Sequence, residues 1–381
     1  MSVHNVIGVI PGNYQPGRYV IIGCHHDSWT RGAGEPGSGM AVLMEVVRVL
    51  SELVTLEGWR PQRTLLFAAW DASAFGQVGS AEFLQKHRAE LASRTVAYIA
   101  LDQAVTGNRT LQVMASPLLR QALSAAAERV PGLGLDDKMT FGPMNAKRGK
   151  GHGGKSGYRR TATGSGKPFP SSRNSESLLA QWARARPSAH LASRRGLVPE
   201  ISPPAGGADF TAFAQLFGAS VAHARFVTRD GDADYPATRT AYDDWQVVAN
   251  ETDPGQLAMA ALTQLIATMA LELADSPQLP MKATDYADQI SVDFGPFQRQ
   301  HGDFFRGNHI RTEPLSKAVR EFAKAANEFQ DYFDSSAASY DHNMLTVIQE
   351  YNERILQLER SFLLPPGYPR HQYYRYHQHY L

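Results

Sequence analysis

Apolar residues along this chain recur at two spacings, and their alternation lays out the fold before any motif is weighed. Short apolar runs at 5–10, 19–24, 64–70, 96–101 and 219–227 have the length of strands, and the run at 64–70 is nearly continuous, as for a strand buried on both faces. Between them, apolar residues fall at helical spacing. Val42, Val46, Val49, Leu50 and Leu53 mark a helix over 40–53, and further helices are expected at 77–92 and 116–130. Strands alternating with helices predict an α/β fold, a mostly parallel sheet flanked by helices.

From about Pro254 the pattern becomes helical throughout. Segments 257–275, 317–332 and 341–364 read as helices, the last with a stripe of Leu345, Ile348, Tyr351, Ile355, Leu358 and Phe362. The expected organisation is an α/β domain over 1–252 and an all-α module over 253–381, ending in the aromatic and His-rich run Tyr373 to Tyr380, to which no role is assigned. Within the first domain, 145–176 is dense in Gly, Ser, Lys and Arg, a composition that cannot bury enough apolar surface to offset chain entropy, and it reads as a disordered insert.

Composition narrows the function classes. The 381 residues are 43% hydrophobic and 20% charged, ample for a buried core. Thirty-eight basic against thirty-seven acidic residues give a net charge of +1, which argues against a nucleic-acid partner or binding to an anionic surface. The single cysteine, Cys24, forms no internal disulfide and belongs to no Cys-x-x-Cys zinc pattern. No uninterrupted apolar stretch is expected to span a membrane, and the first residues lack signal-peptide architecture. Because a strand begins almost at once, a fragment of a longer protein is expected. Asn108 and Asn250 each open an Asn-x-Thr sequon, compatible with glycosylation in an extracellular setting.

The chemistry gathers where the strand at 19–24 runs into His25, His26 and Asp27 and then a Gly-rich loop containing Glu35. Open α/β sheets present ligands and catalytic groups at this edge. A two-zinc peptidase needs a bridging carboxylate, a His and a carboxylate to complete the metals, and a separate Glu to activate water. The segments Gly23-Cys24-His25-His26-Asp27-Ser28-Trp29, Trp70-Asp71-Ala72-Ser73-Ala74-Phe75-Gly76, Asp102 and Tyr235-Pro236-Ala237-Thr238-Arg239-Thr240 resemble, in order, those of glutamate carboxypeptidase II and its non-peptidase relatives, the transferrin receptors. Gly58-Trp59-Arg60-Pro61, Gly302 to Arg306 and Leu358-Glu359-Arg360-Ser361-Phe362 extend the likeness along the chain.

The resemblance implies a divided site. His25 and Asp102 match the ligands of one metal, Asp27 the carboxylate that orients a ligand, and Glu35 the bridging carboxylate, one methylene longer than the family's Asp. Ser73 stands at the general-base position. Ala74 and Arg239 replace ligands of the other metal, Thr238 replaces a neighbouring tyrosine, and Ala208-Asp209 replaces an Asn-Asp pair near the substrate. A Ser is no carboxylate base near neutral pH and Ala has no donor atom. Residual peptidase activity would need another carboxylate, such as Asp71 or Glu82, to substitute as base, and Ser73 lacks the setting of a nucleophile. Trp29 and Trp70 are expected to pack in the core or a loop.

The favoured reading is therefore a non-catalytic homologue binding no zinc or one ion, acting through protein binding and homodimerisation. The alternative is an active two-zinc exopeptidase releasing C-terminal residues from peptides. By the same resemblance the chain would work on the extracellular side of the plasma membrane, reaching it only through an N-terminal anchor absent from this sequence. No partner can be named. Transferrin binding in particular is not supported.

Overall fold

Six strands build one sheet: β1 (Val6–Ile10), β2 (Gln15–His25), β3 (Arg63–Trp70), β4 (Thr95–Ala100), β5 (Thr110–Ala115) and β6 (Ser220–Val227). They come from a computed structural model that describes residues 2–133, 176–188, 197–228, 235–338 and 344–364. The expected insert at 145–176, apart from Glu176, and the run at 373–380 lie outside the described residues. The order across the sheet is β1-β3-β2-β4-β6-β5. The inner four strands are parallel and each edge strand pairs antiparallel.

Side chains alternate along the inner strands, as the period of two requires. Val20, Ile22 and Cys24 of β2 join one core cluster, while Ile21 joins the other. The first face is covered by α1 (Ser38–Leu56), α4 (Arg120–Arg129) and a long apolar helix discussed below. The second is covered by α2 (Val78–Lys86), α3 (Arg88–Arg94) and the helical turns at 210–217. The helix expected at 77–92 is thus two helices that break at His87. The sequence reading did not foresee β5, whose Leu111, Val113 and Ala115 point into the first core, nor the short α5 (Leu178–Ala185).

The α6 helix (Leu257–Asp275), which sequence patterning groups with the C-terminal module, packs against α1, α4 and the sheet. Contrary to expectation, the stretch Pro254–Asp275 is long and apolar enough to cross a membrane by length and composition. Its apolarity has a different cause here. The helix is enclosed on most sides, with Leu262, Leu265, Ile266 and Met269 fully buried.

Charged groups from elsewhere hold both ends of α6. Asp253 accepts N–H groups from Ala258 and Met259, both at 3.0 Å. At the other end the buried Arg63 guanidinium donates to the carbonyls of Leu273 (3.0 Å), Ser276 (2.7 Å) and Pro277 (2.9 Å). The Leu273 and Ser276 carbonyls are among the acceptors that a helix end leaves without intrahelical partners.

Three more helices follow: α7 (Ala283–Gly307), α8 (Glu313–Ala338) and α9 (Met344–Ser361). The 25-residue α7 was hidden by Gly295 and Pro296 in its interior; its first half nevertheless buries Tyr286, Ile290 and Phe294. The stripe expected on α9 is partly borne out: Ile348, Tyr351 and Ile355 are buried, whereas Leu345 is exposed. Buried Glu359 accepts from Ser116 at 2.9 Å and from Ser220 at 3.5 Å, tying α9 to the sheet side.

Replacing Arg63 leaves buried carbonyls without donors, each costing roughly 1–3 kcal/mol. Arg63→Met should lower unfolding free energy by about 3 kcal/mol in urea titrations, and a loss below about 1 kcal/mol would show that the helix end needs no cap.

Candidate active site

Parallel pairing brings the ends of β2, β3 and β4 to one edge, with His25 in register with Trp70 and Gly23 with Ala100. The chain leaves each strand there with polar residues, and these line a cleft of about 450 Å³. His25, Asp27, Glu35, Ser73, Ala74, Asp102 and Arg239, the positions singled out by sequence, all line it. The resemblance therefore brings together residues that are far apart in the chain.

Their bonding is directed mostly at the protein itself. The His25 ring donates from Nδ1 to the Asp27 carbonyl at 3.0 Å, and Nε2 lies 3.9 Å from Glu35 Oε1. The same Glu35 oxygen receives Arg239 Nη2 at 3.3 Å. Asp27 accepts the backbone N–H groups of Ser73 and Ala74, both at 2.9 Å, so that its carboxylate clamps the turn after β3. That turn runs through Ala72 with a φ of 57°, a left-handed conformation uncommon for a residue with a side chain.

Ser73 donates its hydroxyl to Asp209, at 3.0 and 2.8 Å from the two carboxylate oxygens, and Ser80 also donates to Asp209. The backbone N–H of Asp209 reaches Asp102 Oδ2 at 3.3 Å, and that of His25 reaches Oδ1 at 3.4 Å. Burial and the Asp209 charge push the Asp102 carboxyl well above the ordinary range. Burial also raises Asp209, against the lowering effect of the two serines. Asp243, which the sequence reading did not single out, holds the Glu35 loop by accepting from the N–H of Gly34 at 2.5 Å and of Glu35 at 3.2 Å.

This donor set does not fit a two-metal centre. Ala74 brings no donor, and Arg239 places a cation against Glu35, the carboxylate that the resemblance puts at the bridging position. Asp102 directs its oxygens to backbone N–H groups. Among the described residues no group of three His, Cys, Asp or Glu is placed to hold an ion. Asp71 and Glu82, the candidate substitute bases, do not line the cleft. Asp71 instead accepts from the backbone N–H of His4 at 2.8 Å.

The remaining candidates separate cleanly. His26 is exposed and contacts the His4 carbonyl. Trp70 is buried and donates to the Tyr98 hydroxyl at 2.9 Å, as expected of a core residue. Trp29 takes the loop alternative: it stands 57% exposed at the cleft, its ring packed 4.7 Å from that of Phe75. Asn250 is exposed and Asn108 half-buried.

Residues 5–140 match the model of peptidase family M28, and residues 310–377 match that of the transferrin receptor-like dimerisation domain. One stretch of the chain is thus similar to peptidase family M28 and another to the transferrin receptor-like dimerisation domain. It is 30% identical to an aminopeptidase named NAALADL1 from Mus musculus over 97% of this chain and 44% of that protein. It is 29% identical to a glutamate carboxypeptidase 2 homolog from Caenorhabditis elegans, again over 97% of this chain and 44% of that protein. The chain thus spans under half the length of these relatives. Among solved structures, a zinc aminopeptidase from Bacillus subtilis aligns with a TM-score of 0.46 at 16% identity, covering 71% of this chain and 50% of that one.

Sequence reasoning missed the floor of the cleft. His223 and Arg225 of β6, a strand with no other chemical mark in its sequence, line it. The only available signal was a His and an Arg two residues apart, on one face of an otherwise apolar run. His223 is 5% exposed, its ring nitrogens are closed to solvent, and its polar neighbour is the Gln103 backbone. Its pKa is pushed down to about 3 by burial first and by the Arg225 charge second, with the Gln103 backbone acting weakly the other way.

A base with a depressed folded pKa binds fewer protons folded than unfolded between the two values, so this group's contribution falls as pH drops below about 6.5 and continues falling towards about 3. At about pH 4.5 the penalty amounts to about 2–3 kcal/mol. Urea unfolding at about pH 7 and pH 4.5 should show His223→Leu losing less stability on acidification than the parent chain. Equal losses would contradict a buried neutral imidazole.

Proposed function

We propose that this chain is a non-catalytic M28 homologue that acts by binding protein or peptide and by pairing through its C-terminal helices. The observation that carries this reading is the Ser73 hydroxyl bonded to Asp209 at the position the resemblance gives to the general base. Loss of such a base alone typically costs 10²- to 10⁴-fold in rate. The Arg239–Glu35 ion pair supports the same reading, because a guanidinium beside the bridging carboxylate opposes a second cation.

On this reading the cleft holds at most one zinc ion; the resemblance gives it to His25, Glu35 and Asp102, which would have to turn from their present bonds to take it, while Asp27 serves the loop turn. The transferrin receptor-like region favours a homodimer. Resemblance to the glutamate carboxypeptidases favours the extracellular side of the plasma membrane, with Asn108 and Asn250 as glycan acceptors. The near-neutral charge gives nucleic acid no role. The rival reading, an active two-zinc exopeptidase, draws on the M28 match and on relatives named as peptidases.

Metal analysis of purified protein, with hydrolysis of N-acetylaspartylglutamate and simple dipeptides, separates the two. The expected result is fewer than two zinc ions per chain and no chelator-sensitive turnover. Two ions with chelator-sensitive turnover would overturn the proposal. Combining Ser73→Glu, Ala74→Glu and Arg239→His should increase the zinc bound per chain; unchanged content would mean that these positions do not limit binding. Sedimentation should give a dimer, and a monomer at high concentration would refute pairing.

A further inference from the structure

Two large aromatic side chains stand open at the mouth of the cleft: Trp29 is 57% exposed, and Phe75, whose ring lies 4.7 Å away, is 55% exposed. Neither is loosely held. Phe75 occupies a turn flanked by Ala72, Gly76 and Gln77 at φ of 57°, 98° and 60°, left-handed conformations that the two residues with side chains adopt at a cost. Asp27 pins that turn through the N–H groups of Ser73 and Ala74. The Trp29 loop is tied to the 235–244 segment, where the Thr30 hydroxyl donates to the Thr240 carbonyl at 2.7 Å and Arg31 Nη1 donates to Asp244 at 2.8 Å. Bonds next to both aromatic residues therefore fix an apolar surface that faces solvent. A surface preformed in this way loses little freedom when a ligand covers it.

The surroundings select what covers it. A lysine or arginine side chain would be drawn to a ring face, but the two tied loops already carry the exposed guanidiniums of Arg31 and Arg239. An aliphatic side chain gains only the area it buries. An aromatic ring gains that area and also the edge-to-face contact that a third ring makes with a tilted pair, here inclined at 49°. We infer that the Trp29–Phe75 pair is a recognition site for an aromatic side chain of a bound peptide. Trp29 also lines the cleft, whose volume of about 450 Å³ suits the peptide segment on one side of that ring. This role rests on the reading of the cleft as a binding surface without turnover, and it adds the class of side chain that is bound.

The test titrates the whole chain by calorimetry with three blocked peptides, N-acetylglycylphenylalanylglycinamide and its leucyl and lysyl counterparts. The phenylalanyl peptide should bind about fivefold more tightly than the leucyl one, the size of an aromatic contact beyond its buried area. The lysyl peptide should bind more weakly than both. Trp29→Ala and Phe75→Leu should each bring the phenylalanyl peptide within about twofold of the leucyl one, whereas Trp29→Phe, which keeps a ring, should retain the preference; circular dichroism checks that each variant is folded. Equal binding of the phenylalanyl and leucyl peptides by the parent chain, no binding of any, tightest binding of the lysyl peptide, or a preference that survives in folded Trp29→Ala would overturn the inference. So would dissociation of a parent dimer by Trp29→Ala in sedimentation, which would make the pair a contact between copies. Chromatography of the same mixtures tests the underlying reading separately. Cleavage of any peptide would refute a non-catalytic cleft, while the order of affinities would still decide the role of the aromatic pair.

Discussion

The parallel register of β2, β3 and β4 is the constraint on which the rest depends. With His25 opposite Trp70 and Gly23 opposite Ala100, three strands must release the chain at one edge within a few residues of each other. A shift of one residue in any of them would exchange the two faces and turn Val20 and Ile22 away from α1 and α6. Everything in the cleft follows from those exits. The loop after β2 carries His25 to Glu35, the turn after β3 carries Ser73 and Ala74, and Asp102 lies just beyond β4.

What distinguishes this edge is how its carboxylates are satisfied. Asp27 takes two backbone N–H groups, Asp209 two serine hydroxyls, Asp243 the loop before Glu35, and Glu35 a guanidinium. Each is an internal bond that shapes the cleft. Carboxylates committed in this way have fewer lone pairs to offer an incoming cation. The divided inventory seen in the sequence thus becomes, in three dimensions, a network with its own internal logic.

Much of this was legible beforehand. Strands buried on both faces are apolar along their whole length, so β2, β3, β4 and β6 announced themselves, and motif order identified the residues that meet in the cleft. Trp70 packs in the core because an apolar strand leaves a tryptophan no exit, and Trp29 takes the loop alternative, on a path that depends on Asp27 reaching across to another turn. Such tertiary bonds leave no periodic trace. The 25-residue α7 was hidden for a local reason, since Gly295 and Pro296 interrupt a pattern that packing sustains. His223 was hidden for the opposite reason: it occupies a strand position so well patterned that nothing marked it as part of the cleft.

The two charged anchors of α6 have a consequence for how the chain is made. A 19-residue helix this apolar has a competing destination, because the machinery that inserts membrane segments reads length and hydropathy. Asp253 leads directly into the helix and resists hydrocarbon at its entrance, whereas Arg63 reaches its exit only once β3 has been laid into the sheet. The sheet precedes α6 in the chain and so can receive it as it emerges. The surface that encloses this segment is therefore made before the segment itself.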